Sequence, residues 1–183
     1  MGSARRGLVH IYTGHGKGKT TASVGLAIRA AGHGMRVLFV QFFKMEDDVS
    51  GEKEIFRQRI PEITLMRSNV RHPIFTRGKT DKAALRASVR DTFEAARALV
   101  AADGGGGYDM LVFDEILSAI NGGYIEVSEV MELLEARPYS MEVVLTGRDV
   151  PTELVRVADY VTEMLKIKHP FDHDIKAREG IEF

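Results

Sequence analysis

The residues whose types and spacing best suit chemistry form one run near the N-terminus, Gly14-His15-Gly16-Lys17-Gly18-Lys19-Thr20-Thr21. Glycines permit a tight backbone path that turns N–H groups inward on an anion. Lys19 supplies a point charge for phosphate oxygens, and the Thr20 hydroxyl can ligate Mg²⁺. The run fits the end of the G-x-x-x-x-G-K-T phosphate loop, although Thr13 stands where that pattern has its first glycine. Such a loop must leave a strand and open a helix, whose N-terminus adds a positive dipole end. Both elements are legible. Leu8-Val9-His10-Ile11-Tyr12 reads as a buried strand. Lys19 to Ala31 reads as a helix with Val24, Ala27, Ile28 and Ala31 on one face, ended by Gly32 and Gly34.

A second anchor is Asp114-Glu115, directly after the apolar run Met110-Leu111-Val112-Phe113. An acid at the carboxyl end of a buried parallel strand lies beside the phosphate loop, where it can hold Mg²⁺ directly or through water. The competing reading is a helix N-cap, and spacing does not say which acid meets the metal. Arg148, after the strand Val143-Val144-Leu145, and Lys44, after Val37-Leu38-Phe39-Val40, fall on the same edge. Each reads equally as an anion contact or a surface cation. Toward the C-terminus stand Lys168, His169, His173, Lys176 and Arg178. The histidines lie in an irregular, Pro-containing stretch, which favours a solvated or phosphate-facing surface over a metal site.

These residues need a sheet to hold them. Strand, helix and strand at the N-terminus form a βαβ unit, which implies parallel pairing and a right-handed crossover. Ile63 to Met66 reads as a short strand. Thr80 is placed to cap a helix with Leu85, Val89, Phe93, Ala96 and Val100 on one face. Gly104 to Gly107 reads as a floppy surface connection. Ser128 is placed to cap a helix running to about Arg137, Pro151 suits the first turn of another, and Tyr160 to Ile167 alternates like a last strand. The expected fold is one α/β domain over residues 1–183, with a mostly parallel sheet of about six strands and helices on both faces. Residues 1–7 are expected to be disordered or tag-derived, and residues 169–183 to form a tail.

Composition narrows the partners. The 183 residues carry 25 Lys plus Arg and 26 Asp plus Glu, a net charge of −1. No global basic field draws nucleic acid or an anionic membrane. The absence of cysteine excludes a disulfide scaffold, a thiolate zinc site, a cysteine-ligated iron–sulfur cluster and a redox CxxC pair. No apolar run reaches the ~18 residues that span a bilayer, and the N-terminus lacks a signal-peptide apolar region. A cytoplasmic protein is expected.

Taken together, several segments resemble the P-loop-type ATP:corrinoid adenosyltransferases of vitamin B12 synthesis and salvage. They are Tyr12 to Thr21, Val40-Gln41-Phe42, Gly51-Glu52, Leu111 to Glu115, Thr146-Gly147-Arg148, and a tail with Lys168-His169, Phe171-Asp172, Lys176-Ala177 and Gly180 to Phe183. The resemblance is thin between about residues 53 and 107. It implies a P-loop NTPase-like (RecA-like) fold, and it accounts for Thr13, since that family's loop has Thr-Gly there. It implies ATP bound in reversed sense along the loop. It also implies attack of corrinoid Co(I) on the ribose 5′ carbon, with the whole triphosphate leaving. The residues it carries over to ATP are Thr13, Gly14, His15, Gly16, Lys17, Gly18, Lys19, Thr20, Thr21 and Arg148. It assigns Thr20, Asp114 and Glu115 to Mg²⁺, and catalysis to Lys19, Thr20 and Glu115. Phe75 is carried over to the corrinoid, while Arg77 stands where the family has tryptophan and Asp174 where it has glycine. An external electron donor or reductase and a homodimer are further implications. The competing functions are a P-loop ATPase or kinase with Glu115 activating water or substrate, and a non-catalytic nucleotide- or corrinoid-binding module.

Overall fold

The computed structural model describes residues 5–72 and 81–183. Its centre is a six-stranded sheet of β1 (Val9–Thr13), β2 (Val37–Gln41), β3 (Ile63–Arg67), β4 (Met110–Asp114), β5 (Glu142–Thr146) and β6 (Tyr160–Glu163). The order is β3-β2-β4-β5-β1-β6, and every neighbouring pair is parallel. Register aligns the carboxyl ends: Gln41 pairs with Arg67 on one side and Asp114 on the other, and Tyr12 pairs with Thr146. The polar residues that end these apolar strands therefore collect along one edge.

β2, β4 and β5 are buried at every position, which is why they read as unbroken apolar runs. Successive side chains face opposite sides of a strand, so each central strand feeds two cores. On one face Phe39, Val112 and Val144 meet Ala27, Ala30 and Ala31 of α1 (Lys19–Ala31) and Phe56 of α2 (Gly51–Arg59). On the other, Leu38, Phe113 and Leu145 meet α3 (Lys82–Ala101), α4 (Ile116–Asn121), α5 (Val127–Ala136) and α6 (Thr152–Val157). This is an α/β fold of the P-loop NTPase-like kind. No described helix is long and apolar enough to cross a membrane.

The local expectations need several corrections. α1 buries Ser23, Ala27, Ala30 and Ala31, and Ile28 stays 41% exposed. Small alanines, not the larger aliphatics, let that helix sit close over the sheet. α3 buries Leu85, Val89, Phe93, Ala96 and Val100, but its N-cap is Asp81, whose carboxylate accepts from Ala83 N at 2.9 Å; Thr80 lies outside the described residues. α5 starts at Glu126, which shares a reciprocal capping box with Glu129, so Ser128 is inside the helix. β6 stops at Glu163, and its four residues are all exposed. In the 1–7 segment, Gly7 N donates to Tyr139 O and Arg5 pairs with Glu142 at 3.1 Å.

The glycine run is not floppy. Gly104, Gly105, Gly106 and Gly107 take φ values of 66°, 69°, 63° and 77°, a tight left-handed turn open only to glycine at little strain. A Cβ on Gly106 would lie 2.7 Å from the carbonyl oxygen of Leu99 on α3. Gly106→Ala is expected to lower the unfolding free energy by about 1–3 kcal/mol in urea titration. Wild-type stability would show that the turn can relax.

Candidate active site

β1 runs straight into the glycine loop, and α1 begins at Lys19. Gly18, the residue before it, has φ 120° and offers no side-chain cap, which leaves the first amides of α1 open at the helix end. The loop is braced from outside by the chain leaving β6. Met164 N donates to Thr13 O at 2.8 Å, and Gly16 N donates to Met164 O at 2.6 Å. A Cβ on Gly14 would sit 2.6 Å from Met164 O, and one on Gly16 2.7 Å from Leu165 O. Gly14 and Gly16 thus admit a neighbouring backbone, and the Gly16 amide is already spent on it. The amides at the start of α1, uncapped by Gly18, are among the donors left open.

Lys19 is buried and curls back on its own loop, donating to Gly14 O at 2.7 Å and Gly16 O at 2.9 Å. Burial pushes its pKa down, Glu115 and Asp114 push it up, and Arg148 adds to the depression. Bonding to carbonyls keeps the ammonium solvated inside the loop. Lys17 is on the outside, donating to Ile181 O at 3.3 Å. His15 faces Asp149 at 3.4 Å with both side chains exposed, a weak pair.

Asp114 is the hub of the opposite wall. It is 1% exposed, at the end of β4. Its Oδ1 accepts from Thr20 Oγ1 at 3.0 Å and from Thr146 Oγ1 at 2.7 Å, and Gln41 Nε2 stands 3.4 Å from Oδ2. The two acids differ in their local surroundings. Glu115 sits in the left-handed region at φ 65°, a strained position for a non-glycine residue, and lines the cavity together with Thr20. Its backbone N donates to Thr146 Oγ1, and its carboxylate accepts from Ser118 Oγ at 2.6 Å. Thr20 and Asp114 together present hard oxygen donors of the kind Mg²⁺ takes. Among the described residues, no cluster of three or more His, Asp or Glu could hold a metal, the tail histidines included.

Beside this edge opens a cavity of about 870 Å³. Thr20, Glu115 and Arg148 line its phosphate-loop side, and Phe42, Phe43 and Tyr124 line the other. Phe43 packs edge-on to His72 at 4.8 Å and to Tyr124 at 5.9 Å. Burial lowers the pKa of His72. Lys44 lines both this cavity and a smaller one of about 320 Å³ that the tail residues Gly180 to Phe183 close against α1 and α2. Phe75 and Arg77 lie outside the described residues. Sequence reasoning missed Gln41 as an Asp114 partner, and it missed Arg67 and Tyr124. For the first two the available signal was a polar residue closing an apolar strand.

Burial raises the Asp114 pKa to about 6, with Glu115 adding to the rise and the Thr146 and Thr20 hydroxyls opposing it. The folded state therefore binds more protons than the unfolded chain between about pH 4 and 6, and ionising Asp114 erodes stability as pH rises through that window. Asp114→Asn removes the effect. The variant is expected to gain on wild type by up to about 3 kcal/mol between pH 4 and pH 7.5, read from paired denaturation curves. A pH-independent difference would contradict the burial assignment.

A family model described as ATP:corrinoid adenosyltransferase BtuR/CobO/CobP matches residues 5–183. The corrinoid adenosyltransferase of Escherichia coli K12 is 33% identical over 178 residues, covering 97% of this chain and 86% of that protein. The corrinoid adenosyltransferase of a Sinorhizobium species is 38% identical over 179 residues, covering 97% and 81%. The corrinoid adenosyltransferase CobA of Salmonella typhimurium LT2 is 34% identical over 178 residues, covering 97% and 86%. With a match over nearly its whole length and relatives 33% and 38% identical across most of both chains, the chain belongs to the ATP:corrinoid adenosyltransferase family.

Proposed function

We propose that this enzyme transfers the 5′-deoxyadenosyl group of ATP to the Co(I) centre of a corrinoid, with the triphosphate over the phosphate loop and the corrinoid in the large cavity. The observation that carries this reading is the adjacency of Thr20 and Asp114 to that cavity, which sets a polyanion site against an aromatic wall. Cobalt supplies the electron pair that forms the Co–C bond, the C5′–O bond breaks, and its pair departs on the triphosphate. The nucleophile belongs to the substrate, so the chain needs no catalytic Ser, Cys or His.

What the protein supplies is position and charge. Lys19 exchanges its loop carbonyls for phosphate oxygens, and the open amides of α1 add to it. Thr20 and Asp114 hold Mg²⁺, which when bound offsets charge on the triphosphate. Glu115, which lines the cavity with Thr20, is a further candidate Mg²⁺ ligand, and Arg148 meets a phosphate oxygen, with His15 and Thr21 also on the loop. Phe75 is assigned to the corrinoid through the family motif. Because the chain has no cysteine, the electron that makes Co(I) comes from an external donor. The enzyme acts in the cytoplasm, as a homodimer, in adenosylcobalamin synthesis or salvage.

Incubation with ATP, Mg²⁺ and chemically reduced cobalamin is expected to give inorganic triphosphate and a light-sensitive alkylcobalamin. ADP and phosphate in their place would favour hydrolysis or phosphoryl transfer. Lys19→Ala is expected to lower kcat/KM by about 10²–10³, and full activity would move the nucleotide elsewhere. Phe75→Ala should raise KM for cobalamin while leaving ATP affinity intact. Wild-type values for both substrates would remove Phe75 from the corrinoid side.

A further inference from the structure

We propose that Arg67 is a positioning residue for the corrinoid: its guanidinium holds the cavity wall formed by residues 42–50 against the end of β3. The inference rests on the reading of the large cavity as the corrinoid side. That wall contributes Phe42, Phe43, Lys44 and Asp48 to the cavity. It is irregular chain between β2 and α2, with Phe43 in the left-handed region at φ 59°. Within it a local turn links Met45 and Asp48, with Met45 N donating to Asp48 Oδ2 at 3.0 Å, and Lys53 Nζ donates to Glu46 O at 3.0 Å; what joins this turn to the sheet is a separate set of bonds.

Those bonds come from the exit of β3. Arg67 is 8% exposed. Its Nη1 donates to Met45 O at 2.9 Å and to Asp48 O at 3.1 Å, and its Nη2 donates to Ser50 Oγ at 2.6 Å. Its Nε donates to Gln41 Oε1 at 3.0 Å. The next residues continue the template: Ser68 Oγ accepts from Phe43 N at 2.8 Å, and Asn69 N donates to Lys44 O at 3.0 Å. Because Arg67 takes the Gln41 oxygen, the Gln41 amide nitrogen faces acceptors, Glu52 Oε1 at 3.2 Å and Asp114 Oδ2 at 3.4 Å. One polar chain thus runs from the cavity wall to the acid beside the phosphate loop.

The chemistry of Arg67 is unusual for mere packing. Its hydrogen bonds end on neutral acceptors, and burial pushes its pKa down. A buried cation without a directly bonded anion stabilises a fold less than an apolar side chain of equal volume. What a guanidinium alone provides is a rigid planar fork that fixes several points of a loop at once. A lysine keeps the charge and loses the fork.

The test compares wild type, Arg67→Lys and Ser50→Ala. Hydroxocobalamin affinity is read by absorbance titration, ATP affinity by calorimetry, and KM for both substrates by turnover. Arg67→Lys is expected to weaken hydroxocobalamin binding and raise its KM by about tenfold, with ATP affinity and kcat within about twofold of wild type. Ser50→Ala, which removes one contact of the fork, is expected to give about a threefold loss on the corrinoid side alone. Unchanged corrinoid affinity in Arg67→Lys overturns the proposal, and so does an equal loss for ATP, which would mark general structural support. Where circular dichroism shows Arg67→Lys unfolded, Ser50→Ala decides in the same terms. A wild-type protein that binds hydroxocobalamin and ATP but forms no Co–C bond overturns the proposed function instead, and the titrations still read the wall.

Discussion

Asp114 is a carboxylate closed off from water, and the surrounding architecture follows from keeping it there. A buried acid is tolerable only if donors from its surroundings reach it. Those donors come from three different elements, Thr20 on α1, Thr146 on β5 and Gln41 on β2. The strand order makes this possible, because β4 lies between β2 and β5, and β5 alone separates it from β1 and the phosphate loop. The donors do not fully offset burial, since the pKa still rises to about 6. Stability is given up to keep a charge poised beside the loop, as expected of a group kept for binding.

Around that acid the carboxyl edge divides by chemistry. The phosphate side is built from a helix end, loop amides, a buried ammonium and hydroxyls. Such groups are already oriented before an anion arrives and need little reorganisation. The far side of the cavity combines the edge-to-face rings of Phe43, His72 and Tyr124 with the charged side chains of Lys44, Asp48 and Arg71. Flat rings suit a broad, flat partner better than point charges do. Holding the two sides at a fixed separation is a task for the sheet, which is rigid, and for the short polar links that tie irregular chain to it.

Much of this edge was legible from residue order. An apolar run ended by Asp-Glu and a strand followed by a glycine loop are local signals, and the parallel sheet brings their ends together by topology. The sheet partners of Asp114 were harder to see. Gln41 closes the fully buried β2 and Arg67 the half-buried edge strand β3, and each reads locally as the first residue of a loop. Their roles depend on strands adjacent in the sheet, with β2 paired to both β3 and β4. On α1 Ala27 and Ala31 are buried with Val24 packed beside them, and only Ile28 of the expected face stays exposed, because close helix–sheet approach selects alanine over a larger aliphatic. Capping failed at Ser128 because the reciprocal pair of Glu126 and Glu129 competes better for the free amides than a lone hydroxyl.

The glycines of the phosphate loop show how a motif can be read correctly in place and incompletely in cause. Their spacing suggests room for an anion. Gly14 and Gly16 instead make room for Met164 and Leu165, residues about 150 positions away that no local pattern connects to the loop. β6 itself buries nothing, its four residues being exposed, so its contribution to the core is slight. Its outgoing chain fixes the loop's outer side through Met164, bonded to both Thr13 and Gly16. An edge strand that adds little hydrophobic stabilisation can therefore still set the geometry of the site. Lys19 is the one side chain held between the carbonyls of Gly14 and Gly16, so under the proposed function an anion would exchange with those two bonds and not remodel the turn.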